Sequence, residues 1–329
     1  MADVVVLGQV GRELVLRIEE IPASGGSASA SGRRELLGGK GANQAVALAQ
    51  LGVPVALLGV VGDDGPGRQA RAQAAEDGID VSCVVVRPGA DTALLLDLVD
   101  DGDCRLVLHV PSEALLTPAD VAAAAGQLST CQVLLAQLQQ PGDAVQAALE
   151  GLPDSTVVVT DGAPADEATR AAVLGRAAVL RAEAPEVDRL VGRSLTGVDD
   201  VRAAAADLLA AGPRLVALGV EGAGDLVAWR SGPTLGVDAL DLEIDPRWAD
   251  GDVLVPHLGA RPVDPTGAGD AYVATLAATL LGGAGPEDAT WAASAAAAVT
   301  VAHAGGRPEL DAEALGEIVR RHRIAEHPG

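Results

Sequence analysis

Short apolar runs alternate with alanine-rich stretches along most of the chain. Val- and Leu-rich runs of this length are typical of strands buried on both faces, and the stretches between them have the apolar spacing of helices. This alternation predicts βα units around a mostly parallel sheet, and therefore a three-layer α/β fold. The predicted strands are residues 4–8, 55–60, 133–136, 156–160, 177–181 and 215–219. Helices are predicted at 42–51, 67–76, 118–128 and 198–211, and then at 267–281, 286–303 and 311–321.

Two stretches follow a different pattern. Residues 13–19 alternate apolar and polar positions, and so do residues 92–110, which a turn-forming sequence interrupts at 100–103. Alternation predicts strands with one covered and one solvent-exposed face. We expect a small antiparallel β lid, formed by residues of about 11–38 and 90–110 and inserted into a single domain of 1–329. The lid would either close over a site or pair with its counterpart in a homodimer.

The composition narrows the function classes. The 329 residues, 49% of them hydrophobic, suffice for one large domain. A net charge of −23 disfavours nucleic acid and anionic membranes as partners. The three cysteines show no paired spacing that would indicate disulfides or zinc. The first residues lack a secretion signal, and no apolar run reaches the roughly 18 residues of a membrane span, which predicts a cytoplasmic protein.

The segment Asp-Pro-Thr-Gly-Ala-Gly-Asp at 264–270 has the clearest chemical potential, because it opens a predicted helix. Small residues at Gly267, Ala268 and Gly269 let backbone N–H groups converge on an anion, and a helix N-terminus adds about half a positive charge. Asp270 in the first turn could accept a proton from a hydroxyl beside a bound phosphate. The alternative is that the glycines only shape a turn and Asp270 caps the helix.

The segment Gly-Gly-Lys-Gly-Ala-Asn-Gln-Ala at 38–45 is a second candidate. Paired glycines allow a ligand to approach the backbone closely, and Asn43 offers a polyol both a donor and an acceptor. The segment is not a P-loop, because Arg34 stands where the first glycine is required and Gly41 follows the lysine. Lys40 is the single lysine among 23 basic residues.

Together, the two segments resemble the two signatures of the PfkB carbohydrate kinase family, and the second segment is similar to its ribokinase-like members. The resemblance covers almost the whole chain, with the signatures in the family's order. It implies a three-layer α/β/α ribokinase-like fold with a mostly parallel sheet. It also implies transfer of the γ-phosphoryl of ATP to a hydroxyl of a small sugar, with ribose or a related furanose favoured, and it implies Mg²⁺ and K⁺ as cofactors.

The resemblance assigns roles to particular residues. Asp270 would be the catalytic base, beside an anion seat of Gly267, Ala268 and Gly269. Substrate contacts would come from Glu13, Gly39, Lys40, Asn43, Gln139 and Asp270. The ATP site would include Glu183, Leu218, Gly219, Gly222, Gly267, Gly269 and Ser294. Glu186 would hold Mg²⁺ through water, and a monovalent cation would lie in a loop of Asp264, Thr266, Thr300, His303 and Gly305.

Several positions depart from the family pattern. Glu183 replaces the Asn of the N-x-x-E motif, whose carboxylate is Glu186. The polar contacts to ribose change as well: Gly11 and Glu13 replace Asn and Asp, and Gln139 replaces Glu. Since a site built for particular hydroxyls discriminates strongly, these changes leave the identity of the sugar open. His303 and Glu309 alter the cation loop, which weakens the implication of potassium.

Three other functions are compatible with parts of the sequence. A phosphosugar kinase would need extra cations, which Arg12, Arg17, Arg33 and Arg34 could provide. A nucleoside kinase is disfavoured because the chain has only three Trp and one Tyr for stacking a base. A catalytically silent binding regulator would not need Asp270. A Rossmann oxidoreductase is excluded, because no G-x-G-x-x-G follows the first strand.

Overall fold

The computed structural model describes residues 4–100, 104–232, 235, 245–259 and 262–326. Its strands are β1 (Val4–Leu7), β2 (Gly11–Arg17), β3 (Gly32–Gly38), β4 (Val55–Gly62), β5 (Val84–Arg87), β6 (Ala93–Val99), β7 (Cys104–His109), β8 (Val133–Gln137), β9 (Val157–Asp161), β10 (Val179–Ala182), β11 (Leu215–Val220), β12 (Gly224–Trp229) and β13 (Gly251–Val255). Its helices are α1 (Lys40–Gln50), α2 (Gly65–Glu76), α3 (Pro118–Ala123), α4 (Ala125–Leu128), α5 (Gly142–Glu150), α6 (Glu167–Arg176), α7 (Ala184–Val191), α8 (Gly197–Ala211), α9 (Ala268–Leu281), α10 (Pro286–Thr300) and α11 (Ala312–Glu326).

The central sheet has nine strands among the described residues, in the order β13-β12-β11-β10-β9-β8-β1-β4-β5. From β5 to β11 every neighbouring pair is parallel, whereas β12 is antiparallel to both of its neighbours. One core lies between the sheet and helices α1, α2, α9, α10 and α11, and the other lies between the sheet and helices α3 to α8. Two covered faces explain why the parallel strands of the central sheet are mostly apolar.

The predicted α/β architecture is confirmed, with differences in detail. All six predicted strands are present, and the predicted helices are present with boundaries shifted by a few residues. The helix expected at 118–128 is wrong as a single element, because it divides into α3 and α4 at Ala124. The strands at the two sides of the sheet, β5, β12 and β13, were missed, and each of them contains a charged residue.

The lid forms a separate four-stranded sheet in the order β3-β2-β6-β7. The pairs β2–β3 and β6–β7 are antiparallel as expected, but β2 and β6 run parallel, so the prediction of an antiparallel lid is wrong and the sheet is mixed. The reason is topological: α1, β4, α2 and β5 separate the two hairpins, so their inner strands can meet in the same direction. Residues 101–103 of the expected turn lie outside the described residues.

One face of the lid packs against the main body. A β-carbon on Gly305 would lie 3.1 Å from both Leu36 and Val15 of the lid. The opposite face exposes apolar side chains, including Leu94 at 38% and Val107 at 55% exposure. Within the part of the chain that the structure describes, none of the helices is both long and apolar enough to cross a bilayer.

Candidate active site

The two glycine-rich segments meet at the carboxyl edge of the central sheet. The helix α1 begins at Lys40, directly after Gly39, whose φ is 94°. A β-carbon would lie 2.7 Å from the carbonyl oxygen of Gln9 if placed on Gly39, and 2.7 Å from the Cα of Gly8 if placed on Gly41. Only glycine permits this conformation and this close approach. The first turn of α1 therefore lies directly against the end of β1.

Asp270 occupies the first turn of α9, as the sequence predicted. The turn begins at Gly267, whose φ of 75° and close contact with the carbonyl oxygen of Gly306 both require glycine. Asp270 is only 4% exposed. It accepts hydrogen bonds from Asn43 Nδ2 and Gln44 Nε2, each at 3.1 Å. The two predicted segments thus share a buried contact.

The environment of Asp270 favours a carboxylate that titrates near neutral pH. Burial raises its pKa to about 7, and the nearby positive charge of Lys40 opposes that shift. Burial alone would lower the pKa of Lys40, but neighbouring carboxylates outweigh it and raise the pKa, so the ammonium stays charged. A base of this kind, beside a fixed cation, suits proton abstraction at physiological pH.

A buried network of charges extends from Asp270 along the ends of two strands, β9 and β10. Gln44 Nε2 also donates to Asp161 at 3.0 Å, and Arg181 Nη1 donates to Asp161 at 2.9 Å. The same Nη1 lies 3.2 Å from Glu183 Oε1. Burial raises the pKa of Asp161, and the positive charge of Arg181 counteracts that shift. The strands β9 and β10 therefore end in a paired acid and base rather than in the apolar residues that precede them.

Gln44, Asp161 and Arg181 were missed as functional candidates in the sequence. A usable signal was present, because Arg181 stands within the otherwise apolar β10 and Asp161 ends the mainly apolar β9. Gln44 stands beside Asn43 in a helix whose other residues are mostly small and apolar. A buried polar side chain needs a partner, and each of these residues finds it in another element.

Two adjoining cavities form a cleft beside the N-terminus of α9. The first, of about 340 Å³, is mainly apolar and is bordered by Leu258, Ser294 and Val301, among others. The second, of about 270 Å³, is bordered by Arg181, Glu183, Gly219, Gly222 and Gly269. Asp225, His257, Pro265, Ala268 and Ala297 line both cavities. Leu218 is fully buried in β11 and lines neither of them.

The predicted sugar contacts divide into two groups. Gly39, Lys40 and Asn43 lie around Asp270 as described above, and Glu13 reaches the same region from β2 of the lid, where it accepts a hydrogen bond from the backbone N–H of Gly306. Burial raises the pKa of Glu13 to about 9, and neighbouring Asp97 adds to the shift.

Gln139 differs from these residues: it is exposed and makes no hydrogen bond to the described site residues, whereas Gln137 is fully buried at the end of β8.

The predicted cation loop is only partly assembled around Asp264. Asp264 is fully buried and accepts hydrogen bonds from the N–H groups of Thr266 at 2.9 Å and Gly305 at 2.8 Å. The hydroxyl of Thr300 instead donates to the carbonyl oxygen of Ala296 in its own helix, at 2.9 Å. His303 lines a different cavity, of about 410 Å³, together with Arg17, Arg33 and Arg34.

Glu186 has both oxygens engaged by protein groups. Its Oε1 lies 3.3 Å from Lys40 Nζ, and its Oε2 accepts the backbone N–H of Glu183 at 3.0 Å. The Glu183 side chain is 43% exposed and borders the second cavity, whereas that of Glu186 is 5% exposed. Of the two carboxylates, Glu183 is therefore the more accessible from the cleft.

Comparison with known proteins agrees with this geometry. Residues 1–313 match the family described as pfkB family carbohydrate kinase. The chain is 30% identical to ribokinase of Schizosaccharomyces pombe over 324 residues, which cover 94% of this chain and 95% of the relative. It is 27% identical to deoxyribokinase of Salmonella typhi over 279 residues, or 84% of each chain. The chain therefore belongs to the PfkB family and is a carbohydrate kinase of the ribokinase-like group.

A solved structure shows the same fold. The structure of Arabidopsis thaliana ribokinase complexed with ribose and ATP superimposes with a TM-score of 0.73 at 21% sequence identity. The match covers 97% of this chain and 99% of that chain. Both the main body and the lid thus belong to the ribokinase-like fold.

Proposed function

We propose that this kinase transfers the γ-phosphoryl of ATP to a hydroxyl of a free furanose sugar, ribose or a close relative, with Asp270 as the catalytic base. The observation that carries the proposal is the buried Asp270, held by Asn43 and Gln44 at the head of α9. Relatives named ribokinase and deoxyribokinase support a pentose as the acceptor.

The proposed reaction is an in-line displacement. The sugar oxygen forms a bond to the γ-phosphorus while the bond from that phosphorus to the β–γ bridging oxygen breaks, and ADP leaves. The hydroxyl proton passes to the carboxylate of Asp270. Backbone N–H groups of Gly267, Ala268 and Gly269 would stabilise the charge on the phosphoryl oxygens. This step depends mostly on positioning, which the close contact of α1, α9 and β1 provides.

ATP would occupy the two adjoining cavities. Its base suits the apolar cavity of about 340 Å³, where the hydroxyl of Ser294 is buried and has no hydrogen-bond partner among the described residues. Its phosphates suit the second cavity, where Gly219 and Gly222 leave room beside the backbone. The shared lining residues connect the base site to the anion seat at Gly269.

The donors present fit two cations of different kinds. Bound Mg²⁺ would neutralise charge on the phosphates, and Glu186, with both oxygens already engaged, fits contact through water rather than direct ligation. A monovalent cation fits the region of Asp264, where the ligand atoms of Asp97, Cys104 and Asp264 lie within 4.8 Å of one another. The backbone N–H groups of Thr266 and Gly305 donate to Asp264 and hold its carboxylate in place there.

A phosphorylated sugar is a less suitable acceptor. Arg12 donates to Gln73 and lies 3.9 Å from Glu35, and Arg34 lies 3.1 Å from Glu309. Arg33 is paired with Glu35 as well. Three of the four candidate arginines are therefore paired with carboxylates, which favours a free sugar, and Arg17 lies beside a separate cavity of about 410 Å³.

The test is an ADP-release assay with Mg²⁺, with and without K⁺, against pentoses, hexoses, sugar phosphates and nucleosides. We expect a free pentose to raise the rate at least tenfold over the sugar-free rate. Asp270→Asn should abolish that increase while retaining ATP binding. A response to sugar phosphates or nucleosides alone would refute the choice of substrate class, and an unchanged rate in Asp270→Asn would refute the base.

A further inference from the structure

Arg181 is an arginine within an otherwise apolar, fully covered strand. It lies in β10, whose four residues are all buried, and is itself 5% exposed. Burying a guanidinium is unfavourable unless its charge and its donors are matched. Because Arg181 lies next to the anion seat, a bound anion could provide the charge and the acceptors that its buried guanidinium needs.

The guanidinium lies directly against the first turn of α9. A β-carbon on Gly269 would be 2.7 Å from Arg181 Nη2, and it would come even closer to Nη1 and to Glu183 Oε1. Arg181, Glu183 and Gly269 also line the same cavity of about 270 Å³. Arg181 is thus beside the backbone groups that would hold the transferring phosphoryl.

Part of the guanidinium is left without a protein partner. Nη1 makes both ion pairs, to Asp161 at 2.9 Å and to Glu183 at 3.2 Å. Nε is buried, and none of the described residues accepts a hydrogen bond from it; the same residues provide no acceptor for Nη2. A guanidinium has five N–H donors in a planar fork that matches phosphate oxygens. Its free donors beside the anion seat can bind an anionic acceptor.

The charges around Arg181 support the same role. Burial would lower its pKa, but the carboxylates of Asp161, Glu183 and Asp225 outweigh burial and raise the pKa well above the usual range, so the group stays cationic. The guanidinium also lies over the ring of Tyr272, 5.7 Å from its centroid, which helps to fix its plane. Glu183 alone would repel a triphosphate, and Arg181 offsets that charge.

We infer that Arg181 is a further catalytic residue of this kinase, whose free donors bind the γ-phosphoryl group and stabilise the charge that develops during its transfer. No proton passes through Arg181, and proton transfer remains with Asp270. The inference rests on the proposed function, because it requires the γ-phosphoryl to lie at Gly267, Ala268 and Gly269. It also explains how Glu183 is tolerated there.

The experiment compares Arg181→Met, Arg181→Lys and the double variant Arg181→Met/Glu183→Gln with the wild type. Arg87→Met is the matched control, because Arg87 forms a half-buried ion pair with Asp120 at 2.6 Å and lines neither cavity of the cleft. Two quantities are measured: kcat with the best sugar, and the ratio of the Kd for ADP to the Kd for ATP without sugar. Circular dichroism checks that each variant is folded.

We expect Arg181→Met to lower kcat by about 10²–10³-fold, as loss of a charge-stabilising donor does. The preference for ATP over ADP should fall at least about tenfold, because a charge-assisted hydrogen bond to the γ-phosphoryl is lost. Arg181→Lys should also lose at least about tenfold in kcat, since an ammonium lacks the fork. Arg87→Met should match the wild type in both quantities.

The double variant separates contact with the phosphoryl from mere neutralisation of Glu183. If Arg181 only offsets Glu183, then removing both charges restores kcat to within about threefold of the wild type, and the inference is wrong. An unchanged preference for ATP in Arg181→Met would overturn it as well. The nucleotide ratio needs no turnover, so a wild type that phosphorylates no sugar would refute the proposed function while this test still decides on Arg181.

Discussion

Asp270→Asn should make the protein more stable at alkaline pH while it abolishes activity. Burial raises the pKa of Asp270 from 3.8 to about 7. A pKa difference of one between the folded and unfolded states corresponds to about 1.4 kcal/mol, so the ionised carboxylate costs the folded state up to about 4 kcal/mol above pH 7. A neutral amide of the same shape avoids that cost.

The hydrogen bonds around residue 270 reduce the gain. The amide introduced at this position would present a donor where the carboxylate accepts from Asn43 Nδ2 or Gln44 Nε2. Asn43 Oδ1 is buried and has no partner among the described residues, so rotation of the Asn43 amide could supply the missing acceptor. The variant also loses the attraction between the carboxylate and the Lys40 ammonium. After both corrections, we expect the free energy of unfolding of Asp270→Asn to exceed that of the wild type by about 1–3 kcal/mol at pH 8.

The direction of the stability change with pH follows from the raised pKa of Asp270. Since the pKa is higher in the folded state, the protonated carboxyl stabilises the fold below pH 3.8, and that contribution is lost as the pH rises through about 7. The stability of Asp270→Asn relative to the wild type should therefore increase between about pH 4 and 7 and then level off. Turnover should fall by about 10²–10⁴-fold, equivalent to roughly 3–5 kcal/mol of barrier.

Urea denaturation at a series of pH values, with kcat measured on the same samples, tests both expectations. The exposed Asp154 provides the control, because Asp154→Asn should change neither stability nor kcat. If Asp270→Asn is less stable than the wild type at pH 8, then the carboxylate is not held in an unfavourable buried state. If kcat stays above about a tenth of the wild-type value, Asp270 is not the base.

Three further predictions follow from the site and the lid. Wild-type kcat should fall about tenfold per pH unit below pH 7, because Asp270 must be ionised; a rate that stays constant down to pH 5 would contradict this. Gly39→Ala should lower thermal stability more than Gly52→Ala, because both have positive φ but only at Gly39 would the added β-carbon lie 2.7 Å from a carbonyl oxygen, that of Gln9; equal losses would show that the close approach is unimportant. If the exposed face of the lid forms a homodimer, Leu94→Glu should yield monomers by sedimentation, whereas a wild type that is monomeric at micromolar concentration would rule the dimer out.

The sequence predicted the fold well because the central sheet is covered on both sides. The resulting apolar runs are distinctive, and the helices between them leave little choice of topology. The parallel pairing of β2 with β6 was not predictable from alternation, because alternation reports which side chains are covered and not which strand lies alongside. The same limit applies to β12 and β13, which extend one side of the central sheet by antiparallel pairing.

The candidate site was predictable only where one short motif contains both the backbone conformation and the side chain that the chemistry needs. The segments at 38–45 and 264–270 each combine a backbone conformation that needs glycine with a functional side chain. Arg181 and Asp161 are different, because each is a single polar residue whose meaning depends on a partner in another strand. Gln139 remains a prediction: it is polar and near the right strand end, and it is exposed whereas Gln137 is buried.

The central claim is that this chain phosphorylates a free furanose with the help of Asp270. The most direct measurement is ³¹P NMR of a reaction containing ATP, Mg²⁺ and ribose or deoxyribose, run with the wild type and with Asp270→Asn. We predict a new phosphomonoester signal, coupled to protons of the sugar, that grows as ADP forms and is absent with the variant. ADP and inorganic phosphate without any sugar phosphate, or equal product from both proteins, would contradict the account.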